Sequence, residues 1–323
     1  MPLTTATYAY RLDGQGGACP LEAPAPLDWG PDQGVLWLHF DYTNPEAQRW
    51  LMEDSGLDPI AVEALLAEET RPRAVFLGDT LVIALRGVNL NPGSDPEDMI
   101  SIRLCIEEGR IISTQRRKLQ SLETLAHEIV RGRGPRTPGD FLLELLDQLT
   151  NRVEDTLDDL DALTTTIEEE IEKGGDTKLR SRIASIRRQS LMLRRYLSPQ
   201  REALLKLGSA DNVHFTTRNR ADLHETMDRL TRHLEDLDSL KDRLVVIQEE
   251  LAQRSSEQLN SRMYMLSVFT AFFLPLGFLT GLLGINIGGI PGSRNEKAFL
   301  EFVGLLALVI VIQVVIFRKK RWL

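Results

Sequence analysis

The sequence has few cysteines and no excess of positive charge, and both features narrow the class of protein. Its 323 residues include only two cysteines, Cys19 and Cys105, which excludes a disulfide-stapled fold and is typical of a reducing compartment. The 47 acidic residues outnumber the 38 basic ones, so the net charge of −9 argues against a nucleic-acid partner. Because 42% of the residues are hydrophobic and no long low-complexity tract occurs, a disordered chain is excluded as well.

Motifs for catalysis, ATP hydrolysis and tight metal binding are also absent from the sequence. It contains no G-x-x-x-x-G-K-[ST] loop, which argues against ATP-driven pumping, and no motif that supports Ser-His-Asp catalysis. It has neither a C-x-x-C motif nor a histidine pair four residues apart, so we interpret His214, His224 and His233 as surface residues, with Asp211 near the first of them. We predict a protein that is not an enzyme and that needs no cofactor.

Charge disappears near the end of the chain. Residues 263–293 contain no charged side chain, and residues 298–317 contain only Glu301. A helix needs about 20 apolar residues to cross a bilayer, so residues 264–283 and 298–317 are predicted to form two transmembrane helices joined by a short loop. The alternative is a pair of core helices in a soluble domain, but apolar runs of this length are rare in soluble cores.

The distribution of basic residues predicts how these helices are oriented. Residues 1–262 carry a net charge of −13 and residues 263–323 carry +4, with four consecutive basic residues at 318–321. Two arginines precede the first predicted span, whereas the loop between the spans has one arginine and one lysine. The positive-inside rule then predicts an inner-membrane protein with both termini in the cytoplasm. The first 17 residues lack a basic and apolar leader pattern, so no cleaved signal is predicted.

The part before the membrane divides into an α/β domain and a helical stalk. We predict a cytoplasmic α/β domain over residues 1–138, a stalk over 139–262 and a transmembrane hairpin over 263–323, with residues 132–139 as the first linker. Alternating and buried-strand patterns predict hairpins that turn at Gly78-Asp79 and at residues 107–109. The predicted strands are 35–40, 74–77, 81–85, 99–106 and 110–114, and the predicted helices are 59–69 and 119–130.

The stalk is predicted to contain three helices. The first two cover residues 141–173 and 177–197. Ser198-Pro199 is predicted either to break the helix there or to start a new helix, with Ser198 as its N-cap and Pro199 as its first residue. The third begins near residue 211 and continues into the first span, because no proline or glycine interrupts it before the membrane. Its apolar residues follow spacings of four, three and seven, which is typical of a coiled-coil seam: Leu223, Met227, Leu230, Leu234, Leu237, Leu244 and Leu251.

A different face of this long helix has an unusual composition. Small, weakly polar and apolar residues follow one stripe through the span, namely Met263, Ser267, Thr270, Leu274, Gly277, Gly281 and Gly284. Acidic residues continue the stripe backward at every seventh position, namely Glu249, Asp242, Glu235 and Asp228. One interpretation is a solvated face whose glycines pack helices together. The other is a pore-facing stripe with carboxylate rings that attract cations, which requires an oligomer because two spans cannot enclose a pore.

The end of the first span resembles the CorA family of divalent-cation transporters. Residues 273–286 read FLPLGFLTGLLGIN, and Gly284-Ile285-Asn286 stands where that family has Gly-Met-Asn. Residues 287–292 resemble the ZntB branch, and the layout of the whole chain also resembles the family. The resemblance implies a funnel-shaped homopentamer with an α+β cytoplasmic N-terminal domain, a long-helix coiled-coil stalk and two C-terminal transmembrane helices, whose first spans line one pore.

The same resemblance implies roles for individual residues. Asn286 would form a ring at the periplasmic mouth, where its amide oxygen would contact a cation or its water, and Gly284 would allow close backbone approach. Leu266 falls near a family pore position, as do Met263, Thr270, Leu274 and Gly277. Glu249 falls near an acidic family position, and Met263 and Leu274 would form apolar constrictions that gate by dewetting.

The resemblance favours Zn²⁺ as the transported ion, in a branch associated with a proton gradient. The first acidic residue after the motif is Glu296, flanked by Arg294 and Lys297, which argues against a loop that collects hydrated Mg²⁺. The first span has no Asp, Glu or His that could relay a proton. The alternatives are a CorA-type channel for Mg²⁺, Co²⁺ or Ni²⁺ and, more distantly, a non-transporting membrane-anchored coiled-coil scaffold or sensor.

Overall fold

The computed structural model describes residues 6–21, 29, 33–173, 178–209, 214–285 and 297–319. The chain divides into two compact units, Met1–Gln248 and Glu249–Leu323. The first contains a mixed sheet and a group of long helices, and the second contains the apolar end of one long helix and a second apolar helix.

A seven-stranded sheet organises the first unit. The spatial order of its strands is β2-β1-β3-β7-β6-β5-β4. β3 and β7 run parallel, and the other pairs of neighbouring strands run antiparallel. The strands are β1 (Ala6–Leu12), β2 (Ala18–Pro20), β3 (Val35–Asp41), β4 (Arg73–Leu77), β5 (Thr80–Gly87), β6 (Ile100–Ile106) and β7 (Arg110–Gln115).

Both predicted hairpins are confirmed, and their turns have local causes. Gly78 adopts φ +61, a left-handed conformation that glycine reaches without steric cost, so β4 can turn directly into β5. The second turn, between β6 and β7, is closed by a hydrogen bond of 2.8 Å from the Glu107 amide to the Arg110 carbonyl. The sequence patterns did not identify β1 and β2.

Short helices cover one face of the sheet. They are α1 (Pro45–Arg49), continued by one π-helical turn (Trp50–Asp54), and α2 (Pro59–Leu66). The Asn44 and Asp58 side chains cap the first turns by accepting hydrogen bonds from backbone amides. Phe40, Trp50 and Leu65 belong to the buried core between these helices and the sheet. α2 ends at Leu66, three residues before the predicted end at residue 69.

The opposite face of the sheet packs on α3 (Gln120–Val130) and on the start of α4 (Pro138–Glu172). The Phe141 ring meets the edge of Trp37 with 4.9 Å between centroids. A Cβ on Gly87 would lie 2.6 Å from a methyl of Leu149, so the small residue lets α4 approach β5. A capping box between Thr137 and Asp140 starts α4 within the predicted linker.

Two further long helices follow: α5 (Leu179–Ser209) lies within the first unit, and α6 (Thr217–Gly284) begins there and continues into the second. Both predictions for Ser198-Pro199, a break and the start of a new helix, are wrong, because Pro199 lies inside α5. The helix is buried on both sides of the proline, at Leu197 and Leu204, and Gln200 accepts a hydrogen bond of 2.8 Å from the Arg86 amide. These contacts hold the helix where local propensity would end it.

The predicted apolar seam of α6 is buried from Leu223 to Leu244, whereas Leu251 is half-buried. Ion pairs tie α6 to α4 in the same chain. Arg229 Nη1 lies 2.6 Å from Asp147, and Arg243 Nη2 lies 2.8 Å from Glu168. The 68-residue helix runs without interruption into the first span, as predicted, over about 100 Å at 1.5 Å per residue.

The second unit contains the end of α6 and α7 (Ala298–Lys319). Each has an 18-residue stretch that is apolar enough to cross a membrane, and apart from Gln313 and Phe317 the residues of α7 and of the α6 span are exposed or half-buried. Core helices of a soluble protein would be mostly buried, so that alternative is wrong for this chain.

Candidate ion pathway

The span of α6 has a distinct side that packs toward α7. Its half-buried residues follow spacings of three and one, namely Val268, Ala271, Phe272, Pro275, Leu276 and Leu279. The predicted pore residues are exposed, namely Met263, Leu266, Ser267, Thr270, Leu274, Gly277 and Gly281. Leu274 lies two positions from Leu276, and Gly277 two positions from Leu279, which is about 200° around the helix. A single chain therefore leaves this stripe on the side of α6 away from α7.

The glycines of the stripe do not pack against another part of the chain that the structure describes. A Cβ built at Gly277, Gly281 or Gly284 meets no atom of the described chain within 4 Å. Glycines that bring two helices together would have a partner backbone at that distance. Packing of α6 on the described residues of α7 thus does not explain these three glycines.

The stripe contains hydroxyl groups and large apolar side chains, and none of its residues within the span is ionisable. Thr270 donates its hydroxyl to the Leu266 carbonyl at 2.9 Å, so the donor is used and the oxygen keeps its capacity to accept. Met263, Leu266 and Leu274 are between 65% and 67% exposed in the single chain. Facing copies of themselves, such side chains would form rings that exclude water.

The predicted Gly-Ile-Asn motif coincides with the end of α6. Gly284 is the last helical residue and Ile285 follows it, 45% exposed. Asn286 lies outside the residues that the structure describes. Its role in ion selection therefore stays a prediction.

Gln313 is an interhelical contact that sequence patterns did not identify. Its Nε2 donates to the carbonyls of Ala271 and Phe272, each at 3.3 Å, and the residue is 9% exposed. Pro275 has no N–H, so the Ala271 carbonyl four residues earlier lacks its helical donor. Gln313 supplies that donor from α7. The sequence offered one signal for this contact, a proline in the first span and a single side-chain amide in the second.

The predicted acidic stripe is exposed at all four positions, Asp228, Glu235, Asp242 and Glu249. Asp242 lies 3.5 Å from Lys241, and the other three form no ion pair with a residue that the structure describes. These carboxylates therefore remain available to solvent cations. Both interpretations of the stripe, solvated face or cation-attracting ring, predict this exposure.

The histidines do not all lie on the surface as expected. His224 is exposed, but His233 is 6% exposed, with its Nε2 3.9 Å from Glu154, and burial lowers its pKa. His214 is 7% exposed and its Nε2 lies 2.5 Å from the Asp79 carbonyl, whereas Asp211 is outside the described residues. Within the described ranges, no three His, Cys, Asp or Glu side chains lie close enough to hold a metal ion.

Comparison with known proteins places the chain in a family. The family model described as CorA-like Mg²⁺ transporter protein matches residues 32–319. The divalent cation transporter CmaX of Pseudomonas aeruginosa is 40% identical over 98% of this chain and 96% of its own length. The zinc transport protein ZntB of Yersinia enterocolitica is 32% identical over 100% of this chain and 98% of its own.

Solved structures agree with this placement. The full-length CmaX structure matches 98% of both chains at 38% identity with a TM-score of 0.85. The CorA magnesium transporter of Methanocaldococcus jannaschii has a TM-score of 0.84 at 18% identity over 98% of this chain and 99% of its own, a likeness of fold. The predicted α/β domain, long helix and paired C-terminal spans are therefore confirmed. From the family model and these relatives, the chain belongs to the CorA family of divalent-cation transporters rather than to a class of enzymes.

Proposed function

We propose that the protein assembles as a homopentamer in the inner membrane and carries Zn²⁺ through a central pore. The pore would be lined by the α6 stripe from Met263 to Gly281 and would open at Gly284-Ile285-Asn286. The observation that carries this proposal is the position of the stripe, exposed and on the side of α6 away from α7. Zinc is favoured because a relative named as a zinc transport protein matches the whole chain.

The chemistry of the stripe suits passage rather than retention of an ion. A closed tetrahedral site of thiolates and imidazoles would hold Zn²⁺ too tightly for transport. Hydroxyl and amide oxygens bind the ion weakly, directly or through its water, so it can leave again. Thr270 and Asn286 provide such groups, and carboxylates such as Glu249 would raise the local cation concentration.

The test is zinc flux into liposomes that contain the purified full-length protein. We expect Zn²⁺ uptake with wild type and loss of uptake with Asn286→Ala. Asn295→Ala, in the same segment between the spans, is the matched control and should transport as wild type does. An imposed pH gradient separates a proton-linked transporter, whose flux rises with the gradient, from a passive channel.

A second candidate is a channel for Mg²⁺, Co²⁺ or Ni²⁺, and the family model named for Mg²⁺ favours it. Competition distinguishes the two: Mg²⁺ flux that excess Zn²⁺ leaves unchanged would support this candidate over the zinc transporter. Native mass spectrometry of the reconstituted protein tests the five-fold assembly, and a stable monomer would contradict both.

A further inference from the structure

A large basic cavity lies in the first unit, among residues that the ion pathway does not use. Its volume is about 840 Å³, within the range of small-molecule sites. Its walls come from residues 68–71 after α2, from β5 and β6, from residues 116–117 and from α5. Six arginines line it, Arg71, Arg86, Arg103, Arg116, Arg117 and Arg195, against three carboxylates, those of Glu68, Glu69 and Asp98. This concentration of positive charge contrasts with the acidic body around it.

Only one of the six arginines is neutralised by a carboxylate among the described residues. Arg117 pairs with Asp98, contacting both carboxylate oxygens. Arg71, Arg116 and Arg195 are exposed and form no ion pair with a residue that the structure describes. Three guanidinium groups are therefore available to a ligand.

The two deeper arginines are held in place without being neutralised. Arg86 donates to the carbonyls of Thr70 at 3.0 Å and Met99 at 2.8 Å. Arg103 donates through Nη2 to the carbonyl of Glu68 at 3.2 Å, and its Nε and Nη1 have no acceptor among the described residues. Carbonyl partners orient these side chains without forming an ion pair. The carboxylates of Glu69 and Asp98 act on the charge of Arg86, but the six arginines still outnumber the three carboxylates of the lining, which makes an anion in the cavity favourable.

Aromatic rings and hydroxyls complete the walls. The Arg103 and Arg86 guanidinium carbons lie 4.5 Å from the ring centroids of Tyr42 and Tyr196, respectively, in cation–π geometry. Thr70 and Ser101 place their hydroxyl oxygens 2.9 Å apart in the same lining. Stacking preorganises the guanidinium planes, and the hydroxyls add hydrogen-bonding capacity.

We propose that this cavity binds a small anion with two or more linked phosphate groups. Arginine forks match phosphate oxygens in bidentate geometry, and several arginines around one cavity suit a ligand with several charges. With six arginines against three carboxylates the lining is net positive, so an anion of several charges is attracted more strongly than a singly charged one. The volume exceeds the needs of one phosphate and accommodates a molecule of nucleotide size.

The test is calorimetric titration of the full-length protein in detergent with inorganic pyrophosphate, tripolyphosphate and ATP. EDTA in the buffer removes binding through a divalent cation. We expect saturable binding that weakens by about 10- to 100-fold in Arg116→Gln and in Arg195→Gln, since each loses hydrogen bonds to a charged group. Both side chains are exposed, so the variants should keep the wild-type unfolding temperature. Tighter binding of ATP than of tripolyphosphate would add a nucleoside contact to the phosphate site.

The matched control is Arg187→Gln, an equal change of charge on an exposed part of α5 outside the cavity. It should bind the polyphosphates as wild type does. An absence of binding heat from all three compounds would overturn the proposal. Equal weakening by the Arg187 variant would also overturn it, since the binding would then be non-specific attraction to surface charge.

Discussion

Gln313 of α7 donates hydrogen bonds to the helical turn of α6 that precedes Pro275, and this contact allows a quantitative prediction. Replacing Gln313 by leucine keeps the side-chain volume nearly unchanged but removes the donor to the Ala271 and Phe272 carbonyls. The Phe272 carbonyl keeps its helical partner, whereas the Ala271 carbonyl has none because of Pro275. The substitution therefore leaves a single backbone acceptor unsatisfied between two apolar helices.

The size of the loss caused by Gln313→Leu follows from the two hydrogen-bond distances and from the apolar surroundings of the helices. Hydrogen bonds between membrane helices contribute about 0.6 kcal/mol on average and at most about 1.7 kcal/mol. Both distances here are 3.3 Å, slightly longer than the usual N–H···O range, which argues against the upper end for the bonds themselves. A buried orphaned carbonyl adds a cost of its own, so we expect Gln313→Leu to lower the free energy of unfolding by about 1–2 kcal/mol.

A double-mutant cycle tests the explanation rather than the size alone. Pro275→Ala restores an N–H that can donate to Ala271 within α6, so Gln313→Leu should cost about 1 kcal/mol less in that background. The assay is reversible unfolding of the purified protein in mixed micelles, with Ile312→Leu as a neighbouring substitution that removes no hydrogen bond. Equal costs of Gln313→Leu in both backgrounds would refute the reasoning.

Three further predictions concern charge, pH and topology. If five Glu249 carboxylates form a ring, Glu249→Gln should lower zinc flux roughly two- to tenfold at low ionic strength. Glu250→Gln, on the adjacent face, should leave the flux unchanged. Unchanged flux in Glu249→Gln would mean that the acidic stripe is a solvated face. Burial, and then neighbouring carboxylates, raise the pKa of Glu144 to about 7 from 4.5. The folded state thus binds the proton more tightly, and stability falls as pH rises through this window. Glu144→Gln should therefore raise the free energy of unfolding at pH 8 by about 1 kcal/mol after allowance for solvent screening, and leave it unchanged at pH 4. An equal gain at both pH values would contradict this. Cys19 is exposed, whereas Cys105 is 1% exposed and burial raises its thiol pKa to about 12, so an impermeant maleimide should label only Cys19. Labelling in inverted vesicles but not in intact spheroplasts would place the N-terminal domain in the cytoplasm, and the reverse pattern would contradict the proposed orientation.

Sequence alone determined the features that depend on local pattern. Apolar length defines a span wherever it occurs, and glycine at a turn marks a hairpin, so α7 and the β4–β5 turn at Gly78 were predictable. The continuity of α6 followed from the absence of proline and glycine before the membrane. The stripe from Met263 to Gly281 followed from helical period, and its exposure follows from lying opposite the α7 side.

Only the tertiary structure decided which distant residues meet. Pro199 stays helical because buried contacts on both sides outweigh its local preference, and no local pattern contains that balance. β1 and β2 are short or partly exposed strands at one end of the sheet, so neither has a strong burial pattern in the sequence. The arginine cavity is lined by Arg71 and Arg195, which lie more than 100 residues apart in the sequence. Gln313 of α7 likewise forms a hydrogen bond with the Ala271 carbonyl of α6. Such contacts depend on how elements pack in space, because hydrogen bonds and charges act over a few ångströms whatever the separation along the chain.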